Sequence, residues 1–294
     1  MNPLQELLAT EQPIILDGAM GTMLMKAGLE AGDSPEKWNV THPEVIQEIH
    51  QGYIQAGAQV ILTNSFGGNR FRLALHRIDD RAEELNQAAA ANARIEAEKA
   101  THLVAVAGSM GPTGQLLKPL GTITAEEAQE AFAAQAAALA QGGVDMFWIE
   151  TMSDLEEVEA AIRGIRSVSD LPISATMSFD TNGHTMMGVS PAQAMETLGE
   201  LNLFSVGANC GTGPEKLLEA LKIMHEVNPS VLLVAKANAG IPQLINDKEV
   251  YNGTPQVMSE YATQALKIGT TLIGGCCGNT PDHIRAIAKA LRQI

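Results

Sequence analysis

The cysteines of this chain stand as one separated residue, Cys210, and one adjacent pair, Cys276 and Cys277. Taken alone, Cys210 could be no more than a small buried hydrophobe. Its setting argues otherwise, because Gly211 follows it and Gly274, Gly275 and Gly278 surround the pair, giving backbone that can turn tightly enough to aim the thiols. Adjacent cysteines rarely bond to each other, since the disulfide geometry strains the peptide between them. Metal ligation accounts for the trio better. Three thiolates select a soft or borderline ion, and three protein ligands leave one tetrahedral position open, which describes catalytic zinc. A structural site would be closed by a fourth Cys or His; the nearest, His283, falls inside the expected last helix, on a solvated face. Three thiolates make the complex net negative, so it is better suited to keeping a bound thiol ionised than to ionising water.

Such a trio works only if the fold brings distant segments together. Short apolar or β-branched runs alternate with segments of helical period, and eight such pairs can be counted. The expected strands are Pro13–Asp17, Gln59–Asn64, Leu103–Ser109, Asp145–Glu150, Pro172–Phe179, Phe204–Cys210, Val231–Lys236 and Thr270–Cys276. The first helix, Pro43–Gly57, puts Ile46, Ile49, Tyr53 and Gly57 on one face and is entered through Thr41, with Glu44 three residues on. The same capping signature recurs at Thr124/Glu127, Ser153/Glu156, Ser190/Gln193 and Thr212/Glu215, and Pro191, Pro255 and Pro281 occupy first helical positions. Eight βα units in one domain spanning 1–294 predict an α/β fold, a (β/α)8 TIM barrel. The alternative, a Rossmann-like sheet, lacks its glycine fingerprint: Asp17-Gly18-Ala19-Met20-Gly21-Thr22 follows the first strand.

In such a barrel the active site lies at the carboxyl ends of the strands. Here those ends are polar: Asp17, Asn64, Ser109, Glu150, Ser178, Asn209 with Cys210, Lys236 with Asn238, and Cys276 with Cys277. Core packing does not explain apolar strands that run into carboxylates and thiols.

Composition excludes several partners. Nineteen basic against 34 acidic residues give a net charge of −15 with no basic cluster, which argues against nucleic acid. No apolar run reaches the ~18 residues of a membrane helix. The start, MNPLQELLATEQP, lacks the basic and apolar regions of a secretory signal, so a cytoplasmic location is expected, with the oligomeric state left open.

The strings ILDGAMGT at 15–22, LTNSFGGNR at 62–70, GSMGPTG at 108–114, ANCGTG at 208–213, NAGIP at 238–242 and IGGCCGNTP at 273–281 resemble the homocysteine S-methyltransferases over essentially the whole chain. That resemblance implies zinc on Cys210, Cys276 and Cys277, the homocysteine sulfur in the fourth position, Asp17 and Glu150 near the substrate ammonium, and Asn238 as an occupant of the open metal position. The chemistry agrees: an amino acid needs an anion for its ammonium and donors for its carboxylate, for which the N–H groups around Gly18–Thr22 and Ser109–Gly111 are available.

The methyl donor is a separate question. The segment from Ser34 to Pro43, LTNSFGGNR, MSFDTNGHTMMGVS at 177–190 and YNGTP at 251–255 look most like short bacterial betaine–homocysteine methyltransferases, which implies glycine betaine as donor and dimethylglycine as product. Dimethylsulfoniopropionate or S-methylmethionine would also need only a pocket; a methyl-corrinoid or methyltetrahydrofolate would have to come from a partner protein. A remote alternative is a zinc-binding barrel that turns over no donor. A quaternary ammonium is held by aromatic faces, and with only 4% aromatic residues the candidates are Trp38 and Phe66 after strands one and two, with Phe179 and Tyr251 after strands five and seven. Trp38 could equally be a staple at a helix entrance.

Overall fold

The computed structural model describes residues 3–245 and 248–293. All eight expected strands form: β1 Ile14–Ile15, β2 Val60–Leu62, β3 Ala105–Met110, β4 Met146–Met152, β5 Ile173–Met177, β6 Ser205–Cys210, β7 Leu233–Ala237 and, after a hairpin of β8 Pro242–Ile245 and β9 Lys248–Tyr251, β10 Thr270–Gly275. The eight are parallel in the order β1-β10-β7-β6-β5-β4-β3-β2. A bridge between Leu16 and Val60, with Gln59 N–H donating to Ile15 O at 2.7 Å, closes the ring. Helices follow the strands, and the fold is a (β/α)8 TIM barrel. The antiparallel hairpin after β7 is an addition to the expected pattern.

Alternation along each strand sorts the core into two layers. Met146 and Trp148 of β4 join Leu16, Val60, Leu62, Ala107, Val234 and Leu272 inside the barrel, while Phe147 and Ile149 pack outward beneath the helices. An N-terminal helix, Pro3–Leu8, contributes Leu4 and Leu7 to the inner cluster beside Ile14, Ala105 and Met146, the first residues of their strands, and so closes that end.

Two expected capping boxes form, Thr124 with Glu127 and Ser190 with Gln193. Three shift. His42, not Thr41, precedes the helix Pro43–Ala56, because Thr41 ends a short helix, Trp38–Thr41. Asp154 rather than Ser153 caps Leu155–Arg166, since it accepts from Glu156 N–H at 3.0 Å, and Gly213 precedes Pro214–Val227 in place of Thr212. His283 sits half-buried rather than on a solvated face: it meets Thr280 N–H at 3.1 Å and Gly253 O at 2.8 Å as part of the last helix's cap. No helix among the described residues is long and apolar enough to cross a membrane.

Candidate active site

Continuing the inward alternation by one step past the apolar interior places Ser109, Glu150 and Lys236 at the carboxyl end of the barrel. There they join Asp17, Asn64, Cys210, Cys276 and Cys277 on the wall of a cavity of about 370 Å³. The three Sγ atoms lie within 4.8 Å of one another, with Cys210 and Cys276 2.9 Å apart. Tetrahedral ligands at zinc–sulfur distance stand about 3.8 Å apart, inside that span.

Two left-handed residues aim this wall. Cys210 has φ 59° and Thr151 has φ 62°, conformations that cost non-glycine residues on the order of 1–3 kcal/mol. Asn209 holds both: its Oδ1 accepts from Thr151 N–H at 2.8 Å, and its Nδ2 donates to Thr151 Oγ1 at 2.7 Å and to Cys210 Sγ at 3.5 Å. Hydrogen bonds to Cys276 and Cys277, then burial, push Cys210 well up, while the bonds Cys277 receives from Cys210 and Cys276 hold it down. Three thiolates in this space need a cation, which the donor set fits. Asn238, which is not on the cavity wall, donates from Nδ2 to Gly211 O at 2.8 Å and leaves its buried Oδ1 without a partner among the described residues.

Glu150 is buried, and Ser109 Oγ donates to its Oε1 at 2.5 Å. Burial pushes its pKa up to about 7, although Lys236 opposes the shift. Asp17 is differently placed. Its Oδ1 accepts from Lys236 Nζ at 2.8 Å and its Oδ2 from Leu62 N–H at 2.7 Å, so each oxygen already has a donor. Burial raises the Asp17 pKa and works against the charge on Lys236, whose pKa nonetheless rises because Asp17, Glu150 and Cys276 surround it.

The other expected residues divide. Gly18 is required by packing, since a Cβ there would stand 2.6 Å from Asn279 O and 2.7 Å from Tyr53 Cε1. Asn64 lines the cavity, but its amide N–H groups go to Pro35 O at 2.8 Å and Asn39 Oδ1 at 3.1 Å, tying down the loop after β1. Phe66 and Tyr251 lie on the cavity wall with Met20, Met25 and Glu36; Trp38 does not. Trp38 stacks on His42 with ring centroids 4.3 Å apart and packs against the outer core, so the expected Trp38–Phe66 pair is not assembled. Phe179 is core as well.

Sequence reasoning assigned no role to Lys236, Asn209 or Thr151. For Lys236 a signal was available: a lysine inside the apolar parallel strand LLVAKA must find a counter-charge.

A model of the homocysteine S-methyltransferase family matches residues 14–291. The chain is 33% identical over 96% of its length to methionine synthase of Mycobacterium leprae and 33% identical over 97% to that of Mycobacterium tuberculosis. It spans 24% and 25% of those proteins, about a quarter of the length of the curated relatives it matches. The metallated form of the homocysteine methyltransferase MmuM from Escherichia coli superposes with a TM-score of 0.82 at 27% identity, covering 98% of this chain and 99% of that one. With the cysteine trio and the carboxylates meeting at the mouth of the barrel, these matches establish that the chain belongs to the homocysteine S-methyltransferase family.

Proposed function

We propose that this protein transfers a methyl group from glycine betaine to the sulfur of homocysteine, forming methionine and dimethylglycine, with zinc held by Cys210, Cys276 and Cys277. The observation that carries this reading is one cavity containing both a soft-metal donor set and, in Glu150, a buried carboxylate with an oxygen to spare. Zinc bound there supplies the positive charge that keeps a thiol, ordinarily of pKa ~8.5, ionised at neutral pH. Glu150 takes the substrate ammonium, Ser109 holds Glu150 in place, and Asn238 would be the group to occupy the open position of a bound zinc in the absence of the thiol. Phe66 offers the onium group of the donor an aromatic face. The chain's part is then to align the sulfur with the methyl carbon and the departing amine and to exclude water.

The test is methionine formation by zinc-loaded protein from homocysteine and betaine. Turnover is expected; none with betaine overturns the donor, and none with betaine, dimethylsulfoniopropionate, S-methylmethionine, a methylated corrinoid or methyltetrahydrofolate overturns the reaction. The greater length of the methionine synthases favours a second reading, in which the methyl group arrives on a carrier borne by another protein module. That reading predicts corrinoid-dependent turnover without betaine turnover. Homocysteine and zinc are the partners common to both.

A further inference from the structure

Asp17 and Glu150 are both buried carboxylates on the cavity wall, yet their surroundings differ. Asp17 has a partner on each oxygen, Lys236 Nζ on Oδ1 and Leu62 N–H on Oδ2. Glu150 receives Ser109 Oγ on Oε1 and, among the described residues, nothing on Oε2. We propose that Lys236 is a positioning residue that holds Asp17 as a neutral ion pair and thereby leaves the ammonium of an amino-acid substrate to Glu150 alone.

The barrel makes special room for this pair. Lys236 on β7 and Asp17 at the end of β1 are separated by β10, where Gly274 stands in register with Lys236. A Cβ at Gly274 would come within 2.6 Å of Leu16 Cβ and 2.8 Å of Asp17 O, so no larger residue fits the position between them. The glycine lets the end of β1, with Asp17, pack closely on β10 beside the lysine. Beneath the ammonium lies the ring of Trp148, its centroid 5.8 Å from Nζ, which adds a cation–π contact to the pair. The two side chains are 2% and 4% exposed, so their mutual attraction is only weakly screened. An incoming ammonium would meet the charge of Asp17 already opposed by the Lys236 ammonium on its Oδ1. Lys236 also acts on Glu150, but without a hydrogen bond, so Glu150 is the carboxylate with an oxygen open to the substrate.

This inference rests on the homocysteine reading, and the experiment separates the two. Zinc-loaded protein is titrated calorimetrically with homocysteine and with 4-sulfanylbutanoate, which keeps the thiol and carboxylate but lacks the ammonium. The unaltered protein is expected to favour homocysteine at least tenfold, and Glu150→Gln to bring that ratio close to one. The double variant Asp17→Asn/Lys236→Met removes both charges together and is expected to keep the ratio within about threefold of the starting value, with zinc content unchanged. Should it not fold, Asp17→Asn/Lys236→Gln retains a hydrogen bond across the pair and is read in the same way. A ratio that collapses in the double variant as it does in Glu150→Gln would overturn the proposal, because Asp17 would then be touching the ammonium. Equal affinity of the unaltered protein for both thiols would also overturn it, whereas binding of neither thiol would overturn the homocysteine reading itself.

Discussion

The ring of Phe66 is seated on Gly111. A Cβ at position 111 would lie 2.5 Å from its Cε2 and 2.6 Å from its Cδ2, and Gly111 N–H donates to the Phe66 carbonyl at 2.9 Å. The aromatic face at the mouth is therefore held in place before any donor arrives, which lowers the ordering cost of binding.

Replacing Phe66, which is 37% exposed, by Ala should raise the Michaelis constant for betaine about fivefold, the effect of losing a cation–π contact of ~1 kcal/mol at a partly exposed ring. Trp38→Ala should leave that constant within about threefold and lower the melting temperature instead, because Trp38 packs on His42 and the outer core. Steady-state kinetics in betaine at saturating homocysteine, with thermal melts of both variants, would check the pair; a larger kinetic effect at Trp38 would place it in the donor site.

A methyl group on Gly111 tests the same surface from below. Gly111→Ala must displace the Phe66 ring, at a cost of order 1–3 kcal/mol if the ring stays and the backbone yields. The expected result is a raised constant for betaine with homocysteine affinity unchanged, measured by calorimetry. Loss of homocysteine affinity instead would show that the ring serves the other substrate.

Zinc content should follow the thiols. The protein is expected to purify with close to one zinc per chain, and Cys210→Ala, Cys276→Ala and Cys277→Ala should each remove most of it, because two thiolates and water hold the ion far less tightly than three. Elemental analysis after dialysis against a chelator is the measurement. Full occupancy in Cys277→Ala would remove that residue from the ligand set.

Glu150 should couple substrate binding to pH. Its pKa is raised from the ordinary carboxylate value to about 7, so between about 4.5 and 7 the folded protein keeps a proton that the unfolded chain releases. Stability from this group accordingly falls as pH rises through that window. Homocysteine affinity runs the other way, increasing up to about pH 7 as the carboxylate forms. Glu150→Ala should retain zinc, lose about 1.5–3 kcal/mol of homocysteine binding and flatten both profiles. An unchanged pH dependence of homocysteine affinity in the variant would assign the titration to another group.

Much of this molecule was written locally. Short apolar or β-branched runs, proline and hydroxyl caps and the polar strand ends depend on neighbours within a few residues, so all eight strands and the convergence of Cys210 with Cys276 and Cys277 could be read from the chain itself. The partners of the buried charges were another matter. Nothing near Asp17 in sequence announces Lys236; their 2.8 Å contact depends on strand order, on the register of Gly274 and on the reach of a lysine across a strand. The same holds for Trp38, whose position before a helix fits a donor cage as well as a stack on His42 until the turn of Trp38–Thr41 fixes its direction. Sequence determined which groups stand at the mouth of the barrel, because strand ends are local. Only the tertiary structure decided which of them are already paired, because electrostatic pairing and ring orientation depend on distances across the fold that no local pattern encodes.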